Sequence, residues 1–323
     1  MSRPAGTSIS DSSDMTSIRD APTPTAKASG LVDLPIRHSL EQPRISSCIV
    51  CGEITKPSHL PGLASCQQCG MISADLAISD AELTRLYGRD YFHGQEYFDY
   101  VAEEQSLKLN FRLRIATLQR LIHNLATSEL FEIGCAYGFF LDQVRGAVRS
   151  AAGVDISAAA VAFAVAERGV DARQGDYLTM DLGRQVDIVT LWDTIEHLQR
   201  PDLFVEKIAC DVRPGGHIAL TTSDIGSLNA RLRGRHWRMI HPPTHLHYFS
   251  VHSISRLLDK NGFDLVHVSH PGQSRTLGEM AYLVLARQMN KPALFTLFER
   301  LPIVRWRFTL NLFDIIFVVA RRR

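Results

Sequence analysis

Four cysteines carry the first recognisable chemistry of this chain. Cys48-Ile49-Val50-Cys51-Gly52 and Cys66-Gln67-Gln68-Cys69-Gly70 form the pattern C-x2-C-x14-C-x2-C, with a glycine after each pair. Thiolates three residues apart in a tight turn ligate one metal together, and two such turns supply four ligands that close a tetrahedral site. A closed site leaves no position for water, so the pattern predicts a structural zinc on Cys48, Cys51, Cys66 and Cys69. Each glycine is expected to let its turn curl back, so that its amide donates to a sulfur. Two redox pairs or two disulfides are the competing readings. Cys135 and Cys210 stand alone and are read as packing residues.

The second group is a glycine turn with an acid on either side. Phe131-Glu132-Ile133-Gly134-Cys135-Ala136-Tyr137-Gly138-Phe139 follows an apolar run, and the small residues at 134, 136 and 138 allow a tight strand-to-helix turn with close backbone approach by a ligand. Asp155, in Gly153-Val154-Asp155-Ile156-Ser157, lies 21 residues beyond Gly134. An acid at that distance, at the tip of the next strand, hydrogen-bonds ribose hydroxyls. A dinucleotide site wants a third glycine where Phe139 stands. Glu132 would repel a pyrophosphate but suits a ligand with cationic groups, such as the sulfonium and ammonium of S-adenosylmethionine (SAM).

With these residues in view, the sequence resembles the class I SAM-dependent methyltransferase family over roughly 126–271, plus a last strand near 313–320. Glu132 to Gly138 looks like the family's acidic-x-G-x-G-x-G loop, with Ala136 in place of the middle glycine. Asp155 matches the ribose-binding acid, with Ile156 beside it. Gly175-Asp176-Tyr177 looks like the block that borders the adenine. Asp187 to Leu198 is similar to the fourth-strand block, and Arg213-Pro214-Gly215-Gly216 to the turn before the fifth strand. The resemblance implies a Rossmann-like fold: a mostly parallel seven-stranded sheet with a final antiparallel strand, preceded here by the small zinc knuckle. It implies SAM as cofactor, with Glu132, Gly134, Ala136, Tyr137, Gly138, Asp155, Ile156, Asp176, Tyr177 and Asp193 around it. A zinc module ahead of such a domain also occurs in sugar and antibiotic methyltransferases.

The acceptor is expected at the carboxyl ends of the strands. The fourth strand ends in Asp193-Thr194-Ile195-Glu196-His197, and a segment rich in histidine and aromatic residues follows the fifth, with Trp237, His241 and His245-Leu246-His247-Tyr248-Phe249. Histidine has the intrinsic pKa for a general base. His197 and His245 are the candidate bases, with Glu196 to orient one of them; capping or packing roles are the bland reading of both histidines. A further reading places a second divalent ion on Asp193, Glu196, His197 and His245, because some related methyltransferases use a similar acid-x-x-Glu-His arrangement. The expected reaction is methyl transfer to a small-molecule or lipid- or glycan-linked acceptor, with oxygen as the preferred atom. C- or N-methylation of a sugar or metabolite and a non-catalytic SAM-binding partner protein are the alternatives.

These groups need a scaffold, and the apolar pattern supplies it. Short runs at Glu129–Ile133, Ala152–Asp155, Val186–Leu191, His217–Thr221 and Phe263–Val268 alternate with helical stretches at Phe139–Val148, Ser157–Arg168 and Ser253–Lys260. That alternation indicates βαβ units and a parallel sheet. Leu107 to His123 reads as a helix with Leu109, Leu113, Leu118 and Leu121 among its apolar positions, and Ser79-Asp80-Ala81-Glu82 fits a capping box for a helix starting near Ser79. Tyr91 to Tyr100 is rich in aromatics. Twenty of the first thirty residues are Ser, Thr, Ala, Pro or Gly, so 1–40 reads as a disordered arm. The expected organisation is that arm, a zinc module over 44–75, a connector and cofactor-site cover over 79–125, and a methyltransferase domain over 126–323 with an apolar helical insertion at 272–311.

The 323 residues hold 35 basic and 34 acidic side chains, which counts against nucleic acid as a partner. No uncharged apolar run of eighteen residues is present, so a spanning helix is not expected. No signal-peptide core is seen either, and a cytoplasmic location is expected. The apolar insertion carries Trp306 among arginines and raises peripheral membrane contact through 292–323 beside a cap or oligomer contact.

Overall fold

The computed structural model describes residues 47–76 and 103–323. The arm read over 1–40, the helix starting near Ser79 and the Tyr91–Tyr100 stretch lie outside the described residues.

Three short strands, β1 (Thr55–Pro57), β2 (Leu63–Cys66) and β3 (Ile72–Ala74), form an antiparallel meander around the cysteine turns. The central sheet follows, built from β4 (Glu129–Ile133), β5 (Ser150–Asp155), β6 (Asp171–Gln174), β7 (Val186–Trp192) and β8 (Val212–Ser223). The two-residue strand β9 (His247–Tyr248) leaves that sheet and pairs with β3. Next come β10 (Phe263–Ser269), the hairpin strands β11 (Gln273–Thr276) and β12 (Arg307–Leu310), and β13 (Ile315–Arg322). The central order is β10-β13-β8-β7-β4-β5-β6. Neighbours from β6 to β8 are parallel, and β13 runs antiparallel to both β8 and β10. This is the Rossmann-like sheet that the resemblance implied, around the parallel βαβ units that the alternating pattern indicated.

Strand side chains alternate between two cores. Phe131, Ile133, Val189, Leu191, Ile316 and Val318 face one layer. Leu130, Ile188, Trp192, Phe317 and Val319 face the other. Burial on both faces is why these strands read as continuous apolar runs rather than alternating ones. Helix α1 (Glu104–Leu121), α2 (Phe139–Val144) and α3 (Ala158–Arg168) cover the second layer. Helix α4 (Pro201–Asp211) covers the first, with α6 (Val251–Lys260) packed beside it, and the short α5 (Leu228–Arg233) follows β8. The Ser157 hydroxyl accepts from the Ala160 amide to start α3, and Ser250 and Ser253 form a capping box at α6. The cysteine segment is built into the first core: Cys48, Val50, Cys66, Cys69 and Met71 are buried in the same cluster as Phe249, Ile254 and Leu257.

Several expectations are corrected. The helix read over Phe139–Val148 stops at Val144. The Arg213–Gly216 turn is a bulge inside β8, where pairing with β7 jumps from Val186↔Val212 to Ile188↔His217. Helix α1 buries Ser106, Asn110, Phe111, Arg114, Ile115 and Leu118, while Leu113 is 54% exposed. Its buried stripe is thus partly polar, because Arg114 and Asn110 have partners across the interface. Cys210 is exposed, since it falls on the outer side of α4. The apolar insertion is not only helical: β11 and β12 close its base as an antiparallel ladder, with α7 (Leu277–Ala281) and α8 (Pro292–Glu299) between them.

Candidate functional site

The turn after β4 is shaped by contacts that admit no larger residue. Gly134 has φ +77, and a Cβ there would lie 2.6 Å from Thr194 Oγ1, at the end of β7. Gly138 has φ +73, and its Cβ would meet Val170 and Ala164 at 2.8 and 2.9 Å. Ala136 holds φ +44 between them. Asp155 braces this turn: Oδ2 accepts from the Ala136 amide at 2.8 Å and Oδ1 from the Ser157 amide at 2.9 Å. Burial pushes the Asp155 carboxyl up, and these amides oppose the rise. Ile156, beside it, is 44% exposed at the strand tip. Asp176 is exposed and accepts from the Leu178 amide.

Two tyrosines of the expected cofactor set turn their rings into the core. The Tyr177 ring is buried between Phe131 and Phe204, and its hydroxyl donates to Asp211 at 2.6 Å. Its side chain is committed to α4, so only its backbone is left to border a ligand. The Tyr137 ring is likewise buried, edge-on to Phe163 at 4.8 Å.

Beneath the turn sits an unusual carboxylate. Glu132 is 3% exposed, and its Oε2 has no hydrogen-bond partner among the described residues. Burial and the nearby Asp155 push its carboxyl well above the ordinary range, while Arg114 opposes them. An orphaned buried carboxylate is costly unless a donor or a positive charge arrives to meet it. Arg114 itself donates to Asp193 Oδ2 at 3.0 Å, and its guanidinium lies 5.0 Å from the Trp192 ring centroid and 5.2 Å from that of Phe111. Asp193 holds φ +50, and its Oδ1 also accepts from the Thr221 hydroxyl.

The turn after β7 brings three of the expected acceptor-side residues together. Ligand atoms of Glu196, His197 and His245 all lie within 4.8 Å of one another. His197 Nδ1 is 2.9 Å from the Thr244 carbonyl, and His245 Nδ1 is 2.9 Å from the Met239 carbonyl. A carbonyl only accepts, so each Nδ1 carries the proton, and in the neutral ring each Nε2 presents a lone pair. Burial, His197 and His241 hold the His245 pKa far below the ordinary value. Burial and Asp193 push Glu196 up to about 8. Asp193 lies outside this group, because Arg114 and Thr221 hold its carboxylate.

The four cysteine sulfurs form one cluster, also within 4.8 Å. Cys48–Cys69 and Cys51–Cys66 separations are 3.4 Å, and Cys51–Cys69 is 3.6 Å. A tetrahedral site with metal–sulfur bonds of about 2.3 Å places sulfurs about 3.8 Å apart, so the cluster fits such an ion. The glycine amides act differently from the expectation. Gly52 and Gly70 donate to the Cys48 and Cys66 carbonyls, and it is the Val50 amide that reaches Cys48 Sγ, at 3.4 Å.

A family model described as "Methyltransferase domain" matches residues 107–268, half of the chain. The chain belongs to the methyltransferase-domain family. The match starts in α1 and ends in β10, so it takes in every member of the glycine turn and of the histidine group. Over 157 residues the chain is 29% identical to a protein of Mycolicibacterium smegmatis named a probable S-adenosylmethionine-dependent methyltransferase, covering 48% of this chain and 59% of that one. It is 30% identical over 108 residues to a ubiquinone biosynthesis O-methyltransferase of Cupriavidus pinatubonensis, covering 31% of this chain and 43% of that protein. The chain therefore spans about half the length of the curated relatives it matches. Among solved structures it is similar to magnesium protoporphyrin IX methyltransferase from Synechocystis PCC 6803, with a TM-score of 0.47 and 14% identity over 73% of this chain and 92% of that one.

Arg114 is the methyltransferase-domain residue that the sequence reading missed. The signal was present: residues 107, 111, 114, 115 and 118 form one helical stripe, and an arginine at its centre must be paired to be buried there.

Proposed function

We propose that this chain transfers a methyl group from SAM to an oxygen atom of a small acceptor. The observation that carries the reading is the buried Glu132 carboxylate under the glycine turn, whose Oε2 has no hydrogen-bond partner among the described residues. A ligand with an ammonium or sulfonium offers it a closer positive charge than Arg114, whose guanidinium is bonded to Asp193. When bound, SAM supplies an activated methyl group. The backbone of Gly134–Gly138 would receive it, Asp155 would hold the ribose and Ile156 would cover the adenine. Arg114 keeps Asp193 from adding a third uncompensated acid beside Glu132 and Asp155.

On the acceptor side, Nε2 of His197 or His245 would take the hydroxyl proton as the new bond to oxygen forms. The Nδ1 contacts to backbone carbonyls fix each ring in the tautomer that this role needs. Oxygen as the target atom is supported by the name of the ubiquinone-pathway relative. A second reading is favoured by the compactness of Glu196, His197 and His245: a divalent ion held there would polarise the acceptor oxygen, with the two carbonyls orienting its imidazole ligands. Activity that survives exhaustive chelation with the cysteine zinc still bound would exclude this second reading. The four cysteines would hold a structural zinc.

A lipid-linked acceptor is compatible with the insertion, where Leu297 and Trp306 are 65% and 68% exposed near Lys291, Arg300, Arg305 and Arg307 in sequence. No helix among the described residues is long and apolar enough to cross a membrane.

The proposal is tested by calorimetric titration of the full chain with SAM and its demethylated product, followed by an acceptor screen with methyl-labelled SAM. Saturable binding of both and label transfer to a hydroxyl compound are expected. Absence of binding to the wild-type chain would refute it.

A further inference from the structure

The small strand β9 joins two sites that the sequence presents as unrelated. β3 begins three residues after Cys69, and β9 begins two residues after His245. They pair antiparallel, Ile72 with Tyr248 and Ser73 with His247. Leu246, between the two histidines, is bonded on both sides. Its amide donates to the Glu196 carbonyl at 2.9 Å, and its own carbonyl accepts from the Ala74 amide at 2.8 Å. The cysteine meander therefore reaches the backbone of Glu196 through one residue.

His247 makes a second, parallel link. Its Nε2 is 3.3 Å from the Gln199 carbonyl, which only accepts, so Nε2 carries the proton. Its Nδ1 is then the acceptor for the Ser73 hydroxyl, at 2.9 Å. The imidazole is buried, and these two contacts use both of its ring nitrogens. Ser73 belongs to the cysteine meander, and Gln199 follows His197 by two residues. A third contact comes from α6, where Lys260 Nζ donates to the Val50 carbonyl between the first two cysteines.

We propose that His247 is a positioning residue, and that the four-cysteine centre acts through β3 and β9 to hold His197 and His245 at the acceptor side. A three-strand meander of three- and four-residue strands has little core of its own, so its geometry depends on the ion that ties its turns. Loss of that ion releases β3, then β9, then the Nδ1 contacts that set the two imidazoles. The glycine turn, held by β4, β5 and Asp155, does not depend on this route. The inference rests on the proposed role of His197 and His245, and the experiment separates the two.

The test compares the full chain loaded with zinc, the same chain after zinc removal by a chelator, and the zinc-loaded variants His247→Phe and His247→Gln. Amide hydrogen exchange is followed over 241–249 and over β4 and β7. Histidine ¹⁵N spectra report which ring nitrogen of His197 and His245 is protonated. Calorimetry with S-adenosylhomocysteine reports the glycine-turn site. Zinc removal and His247→Phe should each raise exchange over 245–248 at least tenfold and mix the tautomers, with β4 protection kept and affinity changed less than threefold. His247→Gln retains an N–H for Gln199 and should recover part of the protection. Unchanged exchange and tautomers in His247→Phe would overturn the inference, and so would parallel loss of S-adenosylhomocysteine binding in that variant. Should the zinc-free chain unfold throughout, the zinc-loaded variants decide alone. Failure of wild-type S-adenosylhomocysteine binding strikes the proposed function instead.

Discussion

Replacing Glu132 by glutamine should raise stability in the ligand-free chain and lower affinity for a cationic ligand. The carboxyl is 3% exposed, has an unpartnered oxygen and lies near Asp155, so its folded pKa is raised well above the ordinary 4.5. The sign follows from linkage. A raised folded pKa means that stability is fully present below about 4.5 and declines as the pH rises toward the folded value, because the unfolded chain releases the proton first. Glutamine does not titrate, so E132Q should show a flatter profile between pH 5.5 and 8. A buried polar group left unsatisfied costs about 1–3 kcal/mol, and the variant should gain up to that amount over wild type at pH 8 relative to pH 5.5. A hydrogen bond to a charged group contributes about 1.5–3 kcal/mol, so S-adenosylhomocysteine, which keeps the ammonium, should bind about 10- to 150-fold more weakly. Urea unfolding at the two pH values and calorimetric titration measure both quantities. Equal pH slopes for the two proteins, or affinities within threefold, would refute the assignment of Glu132 as the acid that meets the ligand's positive charge.

Gly134→Ala combines a left-handed backbone with a Cβ 2.6 Å from Thr194 Oγ1, and should cost about 2–5 kcal/mol in urea unfolding. Arg114→Met leaves Asp193 unpaired, though partly solvated, and should cost about 1–3 kcal/mol while steepening the stability loss with rising pH, because the charge that opposes the Glu132 shift is gone. Elemental analysis should give about one zinc per chain, and Cys69→Ser should lower that content at equal protein concentration.

The sheet was legible in the sequence because its strands are buried on two faces, and such strands announce themselves as apolar runs. The caps at Ser157 and Ser250 are local chemistry, each serine meeting a partner three residues on, Ala160 and Ser253. The site was legible where one segment carries it, as in Glu132 to Gly138 and the four cysteines. It was illegible where the partner is remote. Arg114 finds Asp193 across 79 residues, so its charge reads as a break in an apolar stripe. Tyr177 finds Asp211, and a tyrosine beside a glycine turn looks the same in sequence whether it faces ligand or core. Strand β9 has only two residues, too few for any periodicity, and its pairing with β3 joins segments more than 170 residues apart.

The hairpin of β11 and β12 has a consequence for how the segment between them tolerates a change of length. Thr276 and Arg307 are paired across the ladder, so the helical excursion between them departs and returns at one point on the scaffold. Closing a longer or shorter excursion changes the loop entropy only slowly with length. Asn110 grips Ser274 at the root of this segment, outside the excursion itself. The strands that carry the glycine turn lie outside this excursion, so a change in its length leaves them untouched.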